Sequence, residues 1–379
     1  MKKFSIKRQI RTIYTVSVFE ALTIAGASWV ALLAQRGYSL AQIGVLEGIF
    51  HAVSLCGEIP SGVVADVLGR KKTMVASRCM AILSTVVMIF SDSFWSIAVA
   101  MGTSALSYNL ASGTREALAY DSLKSVSKEE YYDRYASTEM AIYRVSSAAA
   151  TLCAGFALFL GYKRAYTLDL IVELICLFFA LQLKEVRARD KQIMEGPDFI
   201  FANQDSRAAD ISLKERFKDC ILSSAGFLKN NPKAVWIIAV NSLVGSIATL
   251  LLFFLQAKLP KLGLPTQILG PSLFFMSMGA ALGAKCVAHF PKQGYSRYLG
   301  ISVMGIVIAL LTWITGNPYI VCIGGFVAAF ADDFLEVQTD ILLNGMIPSE
   351  QRATLISVCS FAFSIVMIVM SPLMGVLLN

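Results

Sequence analysis

Residues 57–72 read Gly-Glu-Ile-Pro-Ser-Gly-Val-Val-Ala-Asp-Val-Leu-Gly-Arg-Lys-Lys, and they join two long apolar runs, residues 41–65 and 73–91. Three consecutive cations, Arg70, Lys71 and Lys72, between segments of bilayer length mark a side of a membrane at which the chain turns back. Gly62 and Gly69 allow a short connection to turn sharply and helices to approach. The acid Asp66 at a helix end, beside these cations, can pair differently in two conformations.

A hydrocarbon core about 30 Å thick needs roughly 20 helical residues. Working outward in both directions, windows of that length bounded by charge, glycine or proline fall near 12–35, 41–65, 73–91, 95–120, 135–160, 164–184, 234–257, 266–289, 297–316, 318–341 and 353–378. The fourth, fifth and tenth carry enough polar groups to score weakly on hydropathy. The reading is an all-α membrane protein with about eleven spans. Composition agrees: 56% of the residues are apolar, 16% are charged and the mean hydropathy is +0.63, whereas a soluble domain carries roughly a quarter charged residues. The net charge of +7 is spread between apolar segments, so it reports topology and not a nucleic-acid partner. The eight cysteines stand singly, with no Cys-x-x-Cys pair, which argues against a disulfide framework or a zinc site.

The start, Met1 to Arg11, is basic, but no small-residue cleavage site follows a short apolar core, so the first helix is expected to stay attached. With a cytoplasmic N-terminus, the inner segments collect most of the basic residues, Arg78 counted among them. The outer loops hold only Arg36, Lys163, Arg164, Lys258 and Lys261. The positive-inside rule favours that orientation. The long polar stretch between the sixth and seventh spans then gives three parts: a six-helix bundle, 1–185; a cytoplasmic linker with an amphipathic helix, 186–232, whose apolar positions 213, 217, 221 and 228 recur at helical spacing; and a bundle of about five helices, 233–379. The halves also share a local pattern. Asp121, Ser127, Glu130 and Arg134 follow the fourth span; Asp340, Ser349 and Arg352 follow the tenth. Ser127 with Glu130 fits a capping box for the fifth helix, and Pro348–Ser349 would start the eleventh. Repeated halves around a midplane cavity are typical of secondary transporters.

The opening stretch resembles the signature of the major facilitator superfamily, G-x-x-x-D-x-x-G-R-[KR], matched by Gly62, Asp66, Gly69, Arg70 and Lys71 in the loop between the second and third spans. The resemblance implies a two-bundle transporter fold, with Asp66 and Arg70 in a charge network that holds the inward side closed and Asp121 as the acidic partner of Arg70. Lys72 reads as an anchor. Residues 347–354 and Tyr120–Asp121–Ser122 look like bacterial proton-driven multidrug and tetracycline exporters, which implies residence in a bacterial cell membrane. Two departures stand out. The corresponding second-half loop, from Gly283 to Arg297, lacks the acid and the Gly-Arg-Lys run. The family also continues into a twelfth helix, where this sequence stops at Asn379.

An ionised side chain at mid-bilayer costs on the order of 2.5–3.5 kcal/mol and needs a cavity or a partner. The expected proton and substrate cavity comprises Glu20 in the first span, Glu47, His51 and Glu58 in the second, Arg115 and Glu116 in the fourth, Arg144 in the fifth, and Asp332, Asp333 and Glu336 in the tenth. At about 100° per residue His51, Ser54 and Glu58 fall within roughly 40° of Glu47, one polar stripe on the second helix. Asp332, Glu336 and Asp340 share a face, where like charges repel unless one is protonated or a cation intervenes. Arg115 and Arg144 are the candidate counter-ions. Glu139 and Asp340 read as solvated end charges, and Glu173 as a lone snorkelling acid.

No His-Glu-x-x-His, Gly-x-Ser-x-Gly or Walker loop points to an enzyme, and two histidines on different spans do not make a metal site. No cofactor is expected. The expected function is secondary transport by alternating access, in the form of proton-coupled efflux of small amphipathic molecules. The alternatives are a facilitator or symporter of a small polar solute, or a transport-inactive membrane scaffold. Partners are the bilayer, a small-molecule substrate and protons.

Overall fold

The structure, a computed structural model, describes residues 5–186, 226, 229, 231–290, 294–346 and 352–379; for residues 59, 63, 66 and 352–357 it describes the backbone only. The expected linker and its amphipathic helix lie almost wholly outside these residues, as do Pro348 and Ser349. Among the described residues all regular structure is helical.

Each expected span is helical. The first is broken into α1 (Ile6–Ala21), α2 (Ile24–Ala27) and α3 (Trp29–Gln35). α4 (Leu40–Leu68) and α5 (Arg70–Phe90) follow, then α6 (Phe94–Ala111) with α7 (Thr114–Lys124), α8 (Tyr132–Leu152) with α9 (Ala154–Leu160), and α10 (Tyr162–Gln182). The second half contains α11 (Pro232–Lys261), α12 (Thr266–Val287), α13 (Tyr295–Trp313), α14 (Pro318–Met346) and α15 (Arg352–Leu377). Among the described residues α4, α5, α10, α11, α12, α13 and α15 are each long and apolar enough to cross a membrane, and α8 with α9 qualifies as a pair bent by 47°. The remainder are interrupted or charge-bearing. Gly113, at φ +71°, separates α6 from α7, where a side chain would be strained; α7 carries Arg115 and Glu116, and α14 carries three acids near its middle.

The capping box expected before the fifth span is not formed. The turn Glu129–Tyr131 begins after Lys128, which gives no side-chain cap, and Ser127 adopts φ +53°. The left-handed residue closes α7 and takes Ser127 out of the extended conformation that an N-cap needs. The connection at the opening motif is shorter than a loop: α4 runs to Leu68, Gly69 alone turns at φ +96°, and α5 starts at Arg70. Gly62 lies inside α4, with open space where a Cβ would sit, so the turn rests on Gly69.

By contacts the chain forms two units. The first, in its described parts, comprises residues 5–23, 56–150 and 166–186. Its core joins Ile13 and Val16 of α1, Met74 of α5, Leu118 of α7, Tyr135 of α8 and Cys176 of α10. The Tyr14–Tyr135 and Phe19–Phe179 rings stack at 5.4 and 5.8 Å. This apolar layer positions the buried charges described below.

The second unit comprises residues 24–55, 151–165 and the described residues from 226 onward. Glycines set its closest approaches. A Cβ added at Gly279 or Gly283 of α12 would overlap the carbonyl oxygens of Phe326 or Phe330 on α14. At Gly44 of α4 it would meet the carbonyl of Ser371 on α15, and at Gly155 of α9 that of Thr266 on α12. Small residues that let backbones approach are a common device of helix packing in membranes. The seven described cysteines are free thiols.

Candidate functional site

Five ionisable side chains from five helices meet inside the first unit. Glu20 lies near the end of α1, just before the chain breaks at Leu22. Its two carboxylate oxygens take different arginines: Oε1 accepts from Arg78 Nη2 at 3.0 Å, and Oε2 from Arg115 Nη2 at 2.5 Å. Arg115 also reaches Glu139 of α8, Nη1 to Oε1 at 2.8 Å, and the same oxygen accepts from Ser17 Oγ at 2.8 Å. Arg78 donates further to Ser77 Oγ at 2.9 Å and lies 3.9 Å from Glu173 Oε2 of α10. The left-handed Gly113 places Arg115 in the first turn of α7, where it enters the bundle. Arg78, Arg115, Glu139 and Glu173 are all buried, Arg78 to 2% exposure.

A second group surrounds the Gly69 turn. The Glu185 carboxylate accepts from the backbone N–H groups of Arg70 and Lys71, both at 3.0 Å. These N–H groups have no acceptor within the helix at the start of α5, where the helix dipole favours an anion. A Cβ on residue 69 would lie 2.7 Å from Glu185 Oε2, so only glycine leaves room for this acid. The Arg70 guanidinium pairs with Asp121 at the end of α7, Nη1 to Oδ2 at 2.5 Å, and donates to the Ala117 carbonyl. Burial holds the Asp121 carboxyl above the ordinary aspartate value despite the opposing effect of Arg70. Asp66 lies on the last turns of α4, and its side chain is outside those described.

Beside the buried cluster lies an acidic and aromatic surface. Tyr108 is within electrostatic reach of Tyr143, Glu58 and Glu116, and Tyr143 is within reach of Glu20, Arg115, Glu139 and Arg144. Tyr108, Glu116, Tyr143 and Arg144 are exposed and Glu58 is half-buried. Charged side chains at this depth face water or protein, since lipid would penalise them.

In the second unit His51 Nε2 lies 3.4 Å from Glu47, one turn earlier on α4, and its Nδ1 is 3.4 Å from Ser364 Oγ. The imidazole ring is T-shaped against Phe50 and Phe363. Asp332 and Asp333 are half-buried and Glu336 is exposed; a Cβ at Gly245 would sit 3.3 Å from Asp332 Oδ1. Among the described residues no group of three His, Cys, Asp or Glu side chains is arranged to hold a metal ion.

Several sequence readings require correction. Arg78 is not a cytoplasmic anchor. Eight residues into α5, it is buried and turns inward to Glu20. Glu139 is no solvated end charge; Arg115 and Ser17 draw it into the core. Glu173 does not snorkel, because it faces Arg78. Arg144 is exposed, with no acid within 4.0 Å among the described residues, so Arg115 is the counter-ion that the structure brings to the acids. Glu185 was not singled out at all. The legible signal for Arg78 and Glu173 was depth within an apolar run; Glu185 carried none, because its role depends on a turn distant in sequence.

The family model described as Major Facilitator Superfamily matches residues 13–294. The chain belongs to the Major Facilitator Superfamily. As a member it belongs among integral membrane transporters. It is 34% identical over 96 residues to an uncharacterized MFS-type transporter, YxaM, of Bacillus subtilis (strain 168); the match spans 25% of this chain and 24% of that protein. Among solved structures it is similar to the nucleoside transporter NupG in a mutant form, with a TM-score of 0.74 at 14% identity, over 96% of this chain and 90% of that one. A bacterial homolog of the human lysosomal transporter Spinster gives 0.67 at 14% identity over 97% and 80%, and a D-xylose-proton symporter 0.63 at 13% over 97% and 88%. At such identities the likeness is one of superfamily fold.

Proposed function

We propose that this superfamily member is a proton-coupled exporter of small amphipathic molecules, cationic ones in particular, in a bacterial cell membrane with its N-terminus cytoplasmic. The observation that carries the reading is the wall formed by Glu58, Tyr108, Glu116 and Tyr143 next to the Glu20–Arg115 pair. Aromatic faces and carboxylates together attract an organic cation, and a carboxylate paired to an arginine can release its partner when it takes up a proton. Glu58 and Asp332 are the acids assigned to proton exchange. Asp66, Arg70 and Asp121, with Glu185 now added, form the cytoplasmic gating network.

The test is efflux of a fluorescent cationic dye and of tetracycline from cells expressing the chain, with and without a protonophore. Protonophore-sensitive export that is lost in Glu58→Gln or Asp332→Asn supports the assignment; export unchanged in both variants overturns the roles given to these acids. A second reading, proton-linked transport of a nucleoside or sugar, draws on the names of proteins with similar folds, a nucleoside transporter and a D-xylose-proton symporter. Uptake of labelled uridine or xylose by proteoliposomes under a pH gradient, with no dye export, would favour it.

A further inference from the structure

The buried cluster does not balance in charge. Arg78 and Arg115 supply two positive charges, and both oxygens of Glu20 and the facing oxygen of Glu139 engage them at 2.5–3.0 Å. Two cations thereby compensate two carboxylates. Glu173 is a third. Among the described residues its only ion pair is the 3.9 Å approach to Arg78, beyond hydrogen-bond distance, and its buried Oε2 has no hydrogen-bond partner there. The side chain is 9% exposed, against 18% for Glu20.

Among the described residues the neighbours offer no other compensation. From α5 the facing charge is Arg78, already engaged; from α1 it is the anion Glu20; on α10 itself they are Asp169, one turn earlier, and the thiol Cys176, which also lies close to Arg78. An ionised Glu173 would add one more negative charge to a buried group already served by its two guanidinium ions, and an uncompensated buried charge is the costliest arrangement a core can hold.

We propose that Glu173 is a proton-binding site, occupied when Arg78 is held by Glu20, and that Arg78 is exchanged between the two carboxylates. A proton reaching Glu20, the more accessible acid, neutralises it and frees Arg78. Arg78 then turns from Glu20 to Glu173, which ionises and releases its own proton. One proton is bound at Glu20 and one leaves Glu173, so the net charge of the cluster is unchanged while the arginine has moved from α1 to α10. The exchange links the protonation of a cavity acid to the packing of α10. It deepens the proton-coupled reading above and gives it a residue on the sixth span.

The experiment needs no substrate. Purified protein in lipid vesicles is followed by infrared difference spectroscopy for the carbonyl stretch of a protonated carboxyl group as bulk pH is varied, in light and heavy water. Wild type is expected to show a buried carboxyl band at neutral pH that Glu173→Gln removes, that Asp332→Asn leaves in place, and that moves to a different pH in Arg78→Lys. Circular dichroism and melting confirm that the variants are folded. A band that persists unchanged in folded Glu173→Gln overturns the proposal. Because dye export is measured separately, a wrong substrate leaves the infrared result standing, and a missing band leaves the substrate assignment standing.

Discussion

Arg115→Gln removes one guanidinium that holds two buried carboxylates. The pairs measure 2.5 Å to Glu20 and 2.8 Å to Glu139. At an effective dielectric constant of about 20, two unit charges at the longer distance attract by about 6 kcal/mol. Most of that attraction is offset by the cost of stripping water from both ions, but the cost remains when one partner is deleted. Breaking a buried pair therefore destabilises by about 3–5 kcal/mol. The loss is unequal. Glu20 keeps Arg78 at 3.0 Å, whereas among the described residues Glu139 keeps only the Ser17 hydroxyl. The orphan is Glu139. Adding Glu139→Gln to Arg115→Gln should recover more than half the loss, while Glu20→Gln in the same background should recover less. The assay is thermal unfolding of the purified protein in lipid nanodiscs at a fixed scan rate, since unfolding of a membrane protein is commonly irreversible. The single variant is expected to melt on the order of 10 °C lower. A drop equivalent to less than about 1 kcal/mol, the range of an exposed pair, or failure of Glu139→Gln to rescue, would refute the reasoning.

Three further outcomes follow from other parts of the molecule. Gly69→Ala puts a Cβ against the Glu185 carboxylate at a positive φ, so it should displace Glu185 and cost about 1–3 kcal/mol, read as an earlier melt; Glu185→Gln should be milder, and equal effects would count against the steric argument. Gly44→Leu drives a side chain into the Ser371 carbonyl and should separate α4 from α15 at a cost of about 1–3 kcal/mol or more; a melting temperature equal to wild type would show that this approach is not tight. Asp121 has its protonation moved upward by burial. Its contribution to folding is therefore fully present below the ordinary aspartate value and is lost as pH rises through the raised one, even though the Arg70 pair dissolves on acidification. Asp121→Asn, which lacks this gain at low pH, should steepen the acid limb of a plot of melting temperature against pH, and an unaltered limb would remove Asp121 from the account.

Much of the fold was legible because each span is set by a local rule. Twenty apolar residues must be helical in lipid, where every backbone polar group has to find its partner within the segment. The five residues of the opening motif, Gly62, Asp66, Gly69, Arg70 and Lys71, lie together in the chain. The breaks were harder to see. Gly113 and Cys153 interrupt helices that hydropathy alone would draw straight, and Ser127 fits a capping box that the left-handed turn does not form.

The candidate site divides along the same line. Depth in the membrane is a property of sequence, so Glu20 and Arg115 stood out as charges in need of partners, and the resemblance placed Asp121 with Arg70. Partner identity is a property of packing. Arg78 and Glu173 lie 95 residues apart in the chain and on different helices, and Glu139 looked like an end charge until packing brought it to Arg115 and Ser17. What the sequence by itself determined was that the chain crosses a membrane many times and that it carries more intramembrane charge than lipid tolerates. Only the tertiary structure decided that two arginines and three carboxylates share one buried cluster, because electrostatic compensation acts through space, over 2.5–3.9 Å, between residues that no sequence spacing connects.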